Sequence, residues 1–96
     1  MSFVSHVAAQ AVMVQFQLDA DAEPGLLSRL LLAFAKRDLI PDRLCAARHA
    51  DRLRVDIAFT AADAASVALI EGNLRQIIGV RGLSRCIGPD GVPGAR

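Results

Sequence analysis

The side chains with the most chemistry to offer are Cys45 and Cys86, His6 and His49, and the carboxylates Asp19, Asp21 and Glu23, which crowd into one short stretch. Hard oxygen ligands at that density suit magnesium or calcium, but no ordered ligand spacing supports such a site. The carboxylates are read instead as groups at the positive end of a following helix, which they would stabilise by a few tenths to about 1 kcal/mol. The cysteines lie far apart, with no short-spaced cysteine or histidine pair to complete a metal set, so reduced thiols are expected. Ser28, Ser66 and Cys45 are nucleophiles by residue type. Nothing in the sequence brings either histidine and an orienting acid to any of them. The chain is therefore read as non-catalytic, and no metal or cofactor is expected.

The elements that would position these groups follow from the apolar period. Over residues 11–18, Val12, Val14, Phe16 and Leu18 alternate with Met13, Gln15 and Gln17, the period-two pattern of a half-buried strand. Small and acidic residues then break the pattern, and Pro24 suits a first helical turn, where its missing N–H removes no internal bond. A helix is expected from about Pro24 to Asp38. At about 100° per residue its core stripe reads Leu27, Leu30, Leu31 and Phe34, with Leu32 on the far side. Lys36 and Arg37 suit its negative end, and Pro41 discourages its continuation.

Residues 43–49 and 52–59 read as two strands joined by a tight turn at Ala50-Asp51; Leu53, Val55, Ile57 and Phe59 alternate cleanly in the second. Thr60 is placed to cap a second helix, with Asp63 three residues on. Val67, Ile70, Leu74 and Ile77 then recur at helical spacing up to Gly79. Residues 80–87 supply a last strand. Residues 1–10 are read as an extension, 11–87 as the domain, and 88–96 as a loose Gly/Pro-rich tail. The order is βαββαβ, an α+β ferredoxin-like sandwich with a four-stranded antiparallel sheet and two helices on one face. Right-handed crossovers place strand three beside strand one and strand four on its other flank, leaving strands two and four at the edges.

Composition bounds the function. Ninety-six residues fit one domain of thin stability, for which oligomerisation would help. The chain is 53% hydrophobic with only 4% aromatic residues, so its core must be aliphatic. A formal net charge of +1 gives little general attraction to nucleic acid. The basic residues are scattered and read as solvated faces. The first residues lack the features of a secretory signal, and no apolar run approaches the roughly 20 residues that cross a membrane. A cytoplasmic location is expected.

A ferredoxin-like fold carries many functions, so the site must decide among them. A metallochaperone needs two cysteines in the first loop, where this chain has Asp19, Asp21 and Glu23. An RNA-recognition domain needs exposed aromatics on its middle strands, whereas Phe16 and Phe59 are in phase with buried positions.

An apolar strand, an acidic loop, Pro-Gly and a Leu-rich helix ending in basic residues resemble the start of an ACT domain, the small-molecule-binding regulatory module. Two segments, EPGLLSRLLLAFAKRDL and ALIEGNLRQIIGVRGLSR, are similar to runs in the small regulatory subunit of acetolactate synthase, and the likeness covers about residues 12–86. The resemblance implies a regulator of that enzyme's catalytic subunit in branched-chain amino acid synthesis, in the short form with a single ACT domain; the alternative is a stand-alone amino-acid sensor acting on another enzyme.

The resemblance also implies a ligand site at Ala22, Glu23, Pro24, Gly25, Leu26, Ile40 and Pro41. Backbone N–H groups of Gly25 and Leu26 at the helix start would bind an amino-acid carboxylate. Members that respond to valine carry asparagines where this chain has Ala22 and the Ile40-Pro41 pair, and neither Ala22 nor Ile40 offers a side-chain hydrogen bond. ACT domains pair through edge strands, with sites where the first loop meets the partner. The resemblance thus implies a homodimer, for which strand two is the expected edge.

Overall fold

The structure, a computed structural model, describes residues 12–87. The expected N-terminal extension and the C-terminal tail lie outside these residues. Six elements follow in the order β1 (Val12–Asp21), α1 (Leu26–Ala35), β2 (Arg43–His49), β3 (Arg52–Ala61), α2 (Ala64–Arg75) and β4 (Val80–Ile87). They form one antiparallel sheet of order β2-β3-β1-β4, the arrangement that two right-handed crossovers require.

Alternation along the two middle strands builds the floor of the core. Val14, Phe16, Leu18 and Ala20 of β1 face the helices together with Val55, Ile57 and Phe59 of β3. Phe59 is the aromatic centre: Phe34 meets it edge-on with ring centroids 5.0 Å apart, and Phe16 lies 5.3 Å away at a tilt. Each such pair is worth about 0.5–1.5 kcal/mol beyond the area it buries.

Helix α1 is rotated from the expected stripe. Leu26, Leu30, Ala33 and Phe34 are buried, while Leu27 is half-buried and Leu31 is 44% exposed. The run LLSRLLLAFA is apolar on overlapping stripes, so its phase is set by where the helix begins. Pro24 and Gly25 form a turn, and the helix starts at Leu26. In α2 the expected Val67, Ile70 and Leu74 are fully buried.

The helix ends also differ from expectation. Asp63, not Thr60, caps α2: its Oδ1 accepts from the Ser66 N–H at 2.8 Å. Thr60 belongs to β3, where its hydroxyl donates to Asp42 Oδ2 at 3.0 Å. After α1, the Leu39 N–H donates to the Phe34 carbonyl and the Asp38 N–H to the Ala35 carbonyl, both at 3.0 Å. This is a Schellman closure, with Asp38 at φ 56° in the position glycine usually fills. The β2–β3 turn falls at Ala50-Asp51 as read from sequence, with Ala50 at φ 59°.

Candidate functional site

The loop between β1 and α1 is fastened on two sides. The Asp21 N–H donates to the Gly79 carbonyl at 2.8 Å, and the Ala22 N–H donates to the Asp51 carbonyl at 3.0 Å. Glu23 folds back, its N–H reaching the Asp21 carbonyl at 2.9 Å. The Leu26 N–H, expected to face a ligand, donates to the Glu23 carbonyl at 3.1 Å. Its side chain is fully buried. A helix start must satisfy its free N–H groups, and here the chain supplies its own carbonyl for this one.

Arg29 completes the closure. Its Nη1 donates to the Ile78 carbonyl at 3.2 Å and lies 3.4 Å from Glu23 Oε1. A Cβ added at Gly25 would lie 3.4 Å from Arg29 Nη2, so the guanidinium rests over that glycine. Glu23 also lies against Gly79, which adopts φ 105°. This is a conformation that L side chains rarely adopt.

The other two carboxylates do not serve the helix. Asp19 pairs with Arg52 of β3, and Asp21 takes both Nε and Nη2 of Arg81, at 3.0 and 3.2 Å. Arg81 reaches Asp21 because the β1–β4 register shifts between Asp19 and Ala20. The hydrogen bond from Arg81, with its charge, holds the Asp21 carboxyl below the usual aspartate value, and the same pairing raises Arg81. Helix α1 has no acidic residue in its first turn and no side-chain cap. Among the described residues no group of three metal-ligating side chains gathers.

Beside the fastened loop lies a shallow cleft of about 280 Å³ lined by Ala22, Glu23, Pro24, Leu27, Arg48 and Leu53. It brings together three of the residues expected from sequence and adds Arg48. Strand phase was the available signal for that residue: in β2, Leu44, Ala46 and Arg48 share the side that faces the helices. The Arg48 Nε donates to the Ala50 carbonyl at 2.8 Å. A guanidinium, a carboxylate and apolar walls suit a small zwitterion.

Ile40 and Pro41 sit at the far end of α1, about 15 Å from the helix start for ten residues of helix. Ile40 is 84% exposed. Within one chain these two residues do not meet the loop.

The sheet order, the two helices and the fastened β1–α1 loop define a ferredoxin-like sandwich. The family of ACT-like domains matches residues 7–84, and the chain belongs to it. ACT domains are in general regulatory, commonly bind small amino acids and commonly oligomerise.

Solved structures share the fold. The ACT domain of GTP pyrophosphokinase from Chlorobium tepidum superposes with a TM-score of 0.69 at 11% identity, covering 76% of this chain and 95% of that one. The regulatory subunit of aspartate kinase from Thermus thermophilus, in its ligand-free form, has a TM-score of 0.56 at 22% identity, covering 83% of this chain and 56% of its own. A homoserine dehydrogenase from Thiobacillus denitrificans matches with a TM-score of 0.65 at 14% identity over 78% of this chain and 17% of that one. No curated protein matches by sequence. Among the described residues no helix is long and apolar enough to cross a membrane.

Proposed function

We propose that this protein is a non-catalytic regulatory subunit that works in the cytoplasm as a homodimer and binds a metabolic enzyme, with the catalytic subunit of acetolactate synthase as the leading partner. The observation that carries the reading is the state of β2. It is an edge strand, and every residue in it except Leu44 is exposed. The small side chains of Cys45, Ala46 and Ala47 leave room for a second strand. The Ala22 N–H bond to Asp51 holds the loop at the His49 end of β2, so a two-fold antiparallel pairing of this edge is the arrangement that would carry Ile40 and Pro41, before Arg43, toward the partner's loop. The partner assignment rests on the likeness of the two segments quoted above.

Mass measurement in solution tests the pairing: a dimer is expected, and a clean monomer at tens of micromolar overturns it. Co-expression with an acetolactate synthase catalytic subunit tests the partner. Co-purification with a change in turnover is expected; no association and no change in turnover rule that partner out.

The cleft with Arg48 and Glu23 favours a second reading, a stand-alone sensor of a small amino acid acting on another enzyme. A thermal-shift screen of the twenty standard amino acids separates this from a purely structural loop, since a bound ligand raises the midpoint. Ala22→Asn restores one polar anchor and is expected to strengthen any such response.

A further inference from the structure

We infer a second small-molecule site on the open face of the sheet, at the opposite end of β1 from the β1–α1 loop, suited to a free amino acid. Val14 and Phe59 are buried on the helix side, so Met13, Gln15, Ala58 and Thr60 project from the other face. The pairing register puts Gln15, Ala58 and Arg43 in one row across three strands, with Met13 and Thr60 in the next. Ala58 is the small residue in the middle of its row. Around it lies a cavity of about 300 Å³ lined by Met13, Gln15, Asp42, Arg43 and Ala58, with the strand at Val14 and Phe59 as its floor.

Three polar groups border this cavity, the buried Gln15 and the exposed Asp42 and Arg43. Gln15 is only 8% exposed, although it lies on the open face, and among the described residues its Oε1 accepts no hydrogen bond, as is also true of Asp56 Oδ1 in the neighbouring row. A buried carbonyl without a donor is costly, and a native fold keeps one where something else completes it. Gln15 lines the cavity, and rotation about the broad terminal torsion of its side chain exchanges the carbonyl and amide ends, so either can face the cavity. Arg43 is exposed and, among the described residues, forms no ion pair. Asp42 is held in place: its N–H donates to the Ala58 carbonyl at 2.7 Å, and its Oδ2 accepts from Thr60, leaving Oδ1 for another donor.

A fixed carboxylate, a guanidinium without an ion pair among the described residues and a carbonyl short of a donor there, with an apolar wall at Met13, match the two charges of an α-amino acid. Its carboxylate faces Arg43. Its ammonium is shared between Asp42 and Gln15, and an aliphatic side chain lies against Met13 and Ala58. The site stands apart from the β1–α1 cleft in residues, face and end of the sheet, so either can fail without the other.

The test is an amide chemical-shift titration of the full chain with each of the twenty standard amino acids at millimolar concentration. At least one is expected to perturb the amides of Met13, Gln15, Arg43 and Ala58. Arg43→Ala removes a charge-assisted contact from an exposed side chain and is expected to weaken that binding by about tenfold or more. Gln15→Leu is expected to weaken it as well while retaining the native spectrum. The inference is overturned if no amino acid perturbs these amides, if the shifts fall only on residues 22–27 and Arg48, or if Arg43→Ala binds as tightly as the parent.

Discussion

Arg29 Nη1 donates to the carbonyl of Ile78 at 3.2 Å, tying the first turn of α1 to the turn that precedes β4 across 49 residues of sequence. That contact, with the Glu23 pair beside it, lays a cation over the start of the helix. Arg29→Ala should therefore loosen the loop without unfolding the domain. Both partners of the ion pair are close to half exposed, so the loss is expected to stay below about 1 kcal/mol. Hydrogen exchange should quicken at the Leu26 amide, and unchanged protection there would show that the backbone bond to Glu23 holds the loop unaided.

Phe59 joins the rings of Phe16 and Phe34 and is 1% exposed. Phe59→Ala is expected to cost about 3–5 kcal/mol, through lost burial and the cavity left behind. A domain of this size has little more than that to lose. Urea unfolding should show a collapsed or missing transition, whereas Leu32→Ala, at a site 53% exposed, should leave the midpoint almost unchanged.

Backbone conformation predicts opposite signs at three positions. Asp38 and Ala50 hold left-handed φ values of 56° and 59°, and glycine adopts these without a side-chain clash. Asp38→Gly and Ala50→Gly are each expected to stabilise by up to about 1 kcal/mol. Gly79→Ala does the reverse. Its φ of 105° strains any L residue, and this carries the cost, since the added Cβ would make only ordinary contact with Leu26 Cδ2 at 3.5 Å and Glu23 Oε1 at 3.6 Å. A loss of about 1–3 kcal/mol is expected by thermal or chemical unfolding.

Two carboxylates contribute to the acid limb of stability. Asp21, held by Arg81, and Asp63, held by the Ser66 N–H, both titrate below the ordinary value of 3.8 when folded. Protons therefore bind the unfolded chain first. The contribution of each group is complete above about pH 3.8 and fades as pH falls through the depressed folded value. Asp21→Asn should make the decline below about pH 4 shallower and leave its onset no higher. Arg81 is raised by its hydrogen bond to Asp21, so its half of the pairing is lost only in strong base. Urea midpoints of parent and variant across the acid range measure the difference.

Much of the fold was legible because it rests on local periodicity. Val14, Phe16 and Leu18 in β1, like Val55, Ile57 and Phe59 in β3, declare their buried face by alternation alone. The handedness of crossovers then leaves one sheet order for βαββαβ. Helix α1 resisted the same treatment. With apolar residues at 26, 27, 30, 31, 32 and 34, more than one stripe satisfies the period, and the turn at Pro24 and Gly25 selects among them. The cap of α2 was displaced for a related reason: Thr60 had a better use as a strand residue bonded to Asp42.

The site divides along the same line. The architecture and the acidic β1–α1 loop were already set by residue type and near neighbours. It took the folded chain to pair Asp19 and Asp21 with Arg52 and Arg81, to bond the Leu26 N–H to Glu23, and to lay Arg29 over Gly25. The tertiary structure also placed Arg48 in one cleft and buried Gln15 beside another. Those partnerships join groups separated by as many as 60 residues, and no local pattern records which distant donor reaches a given acceptor first.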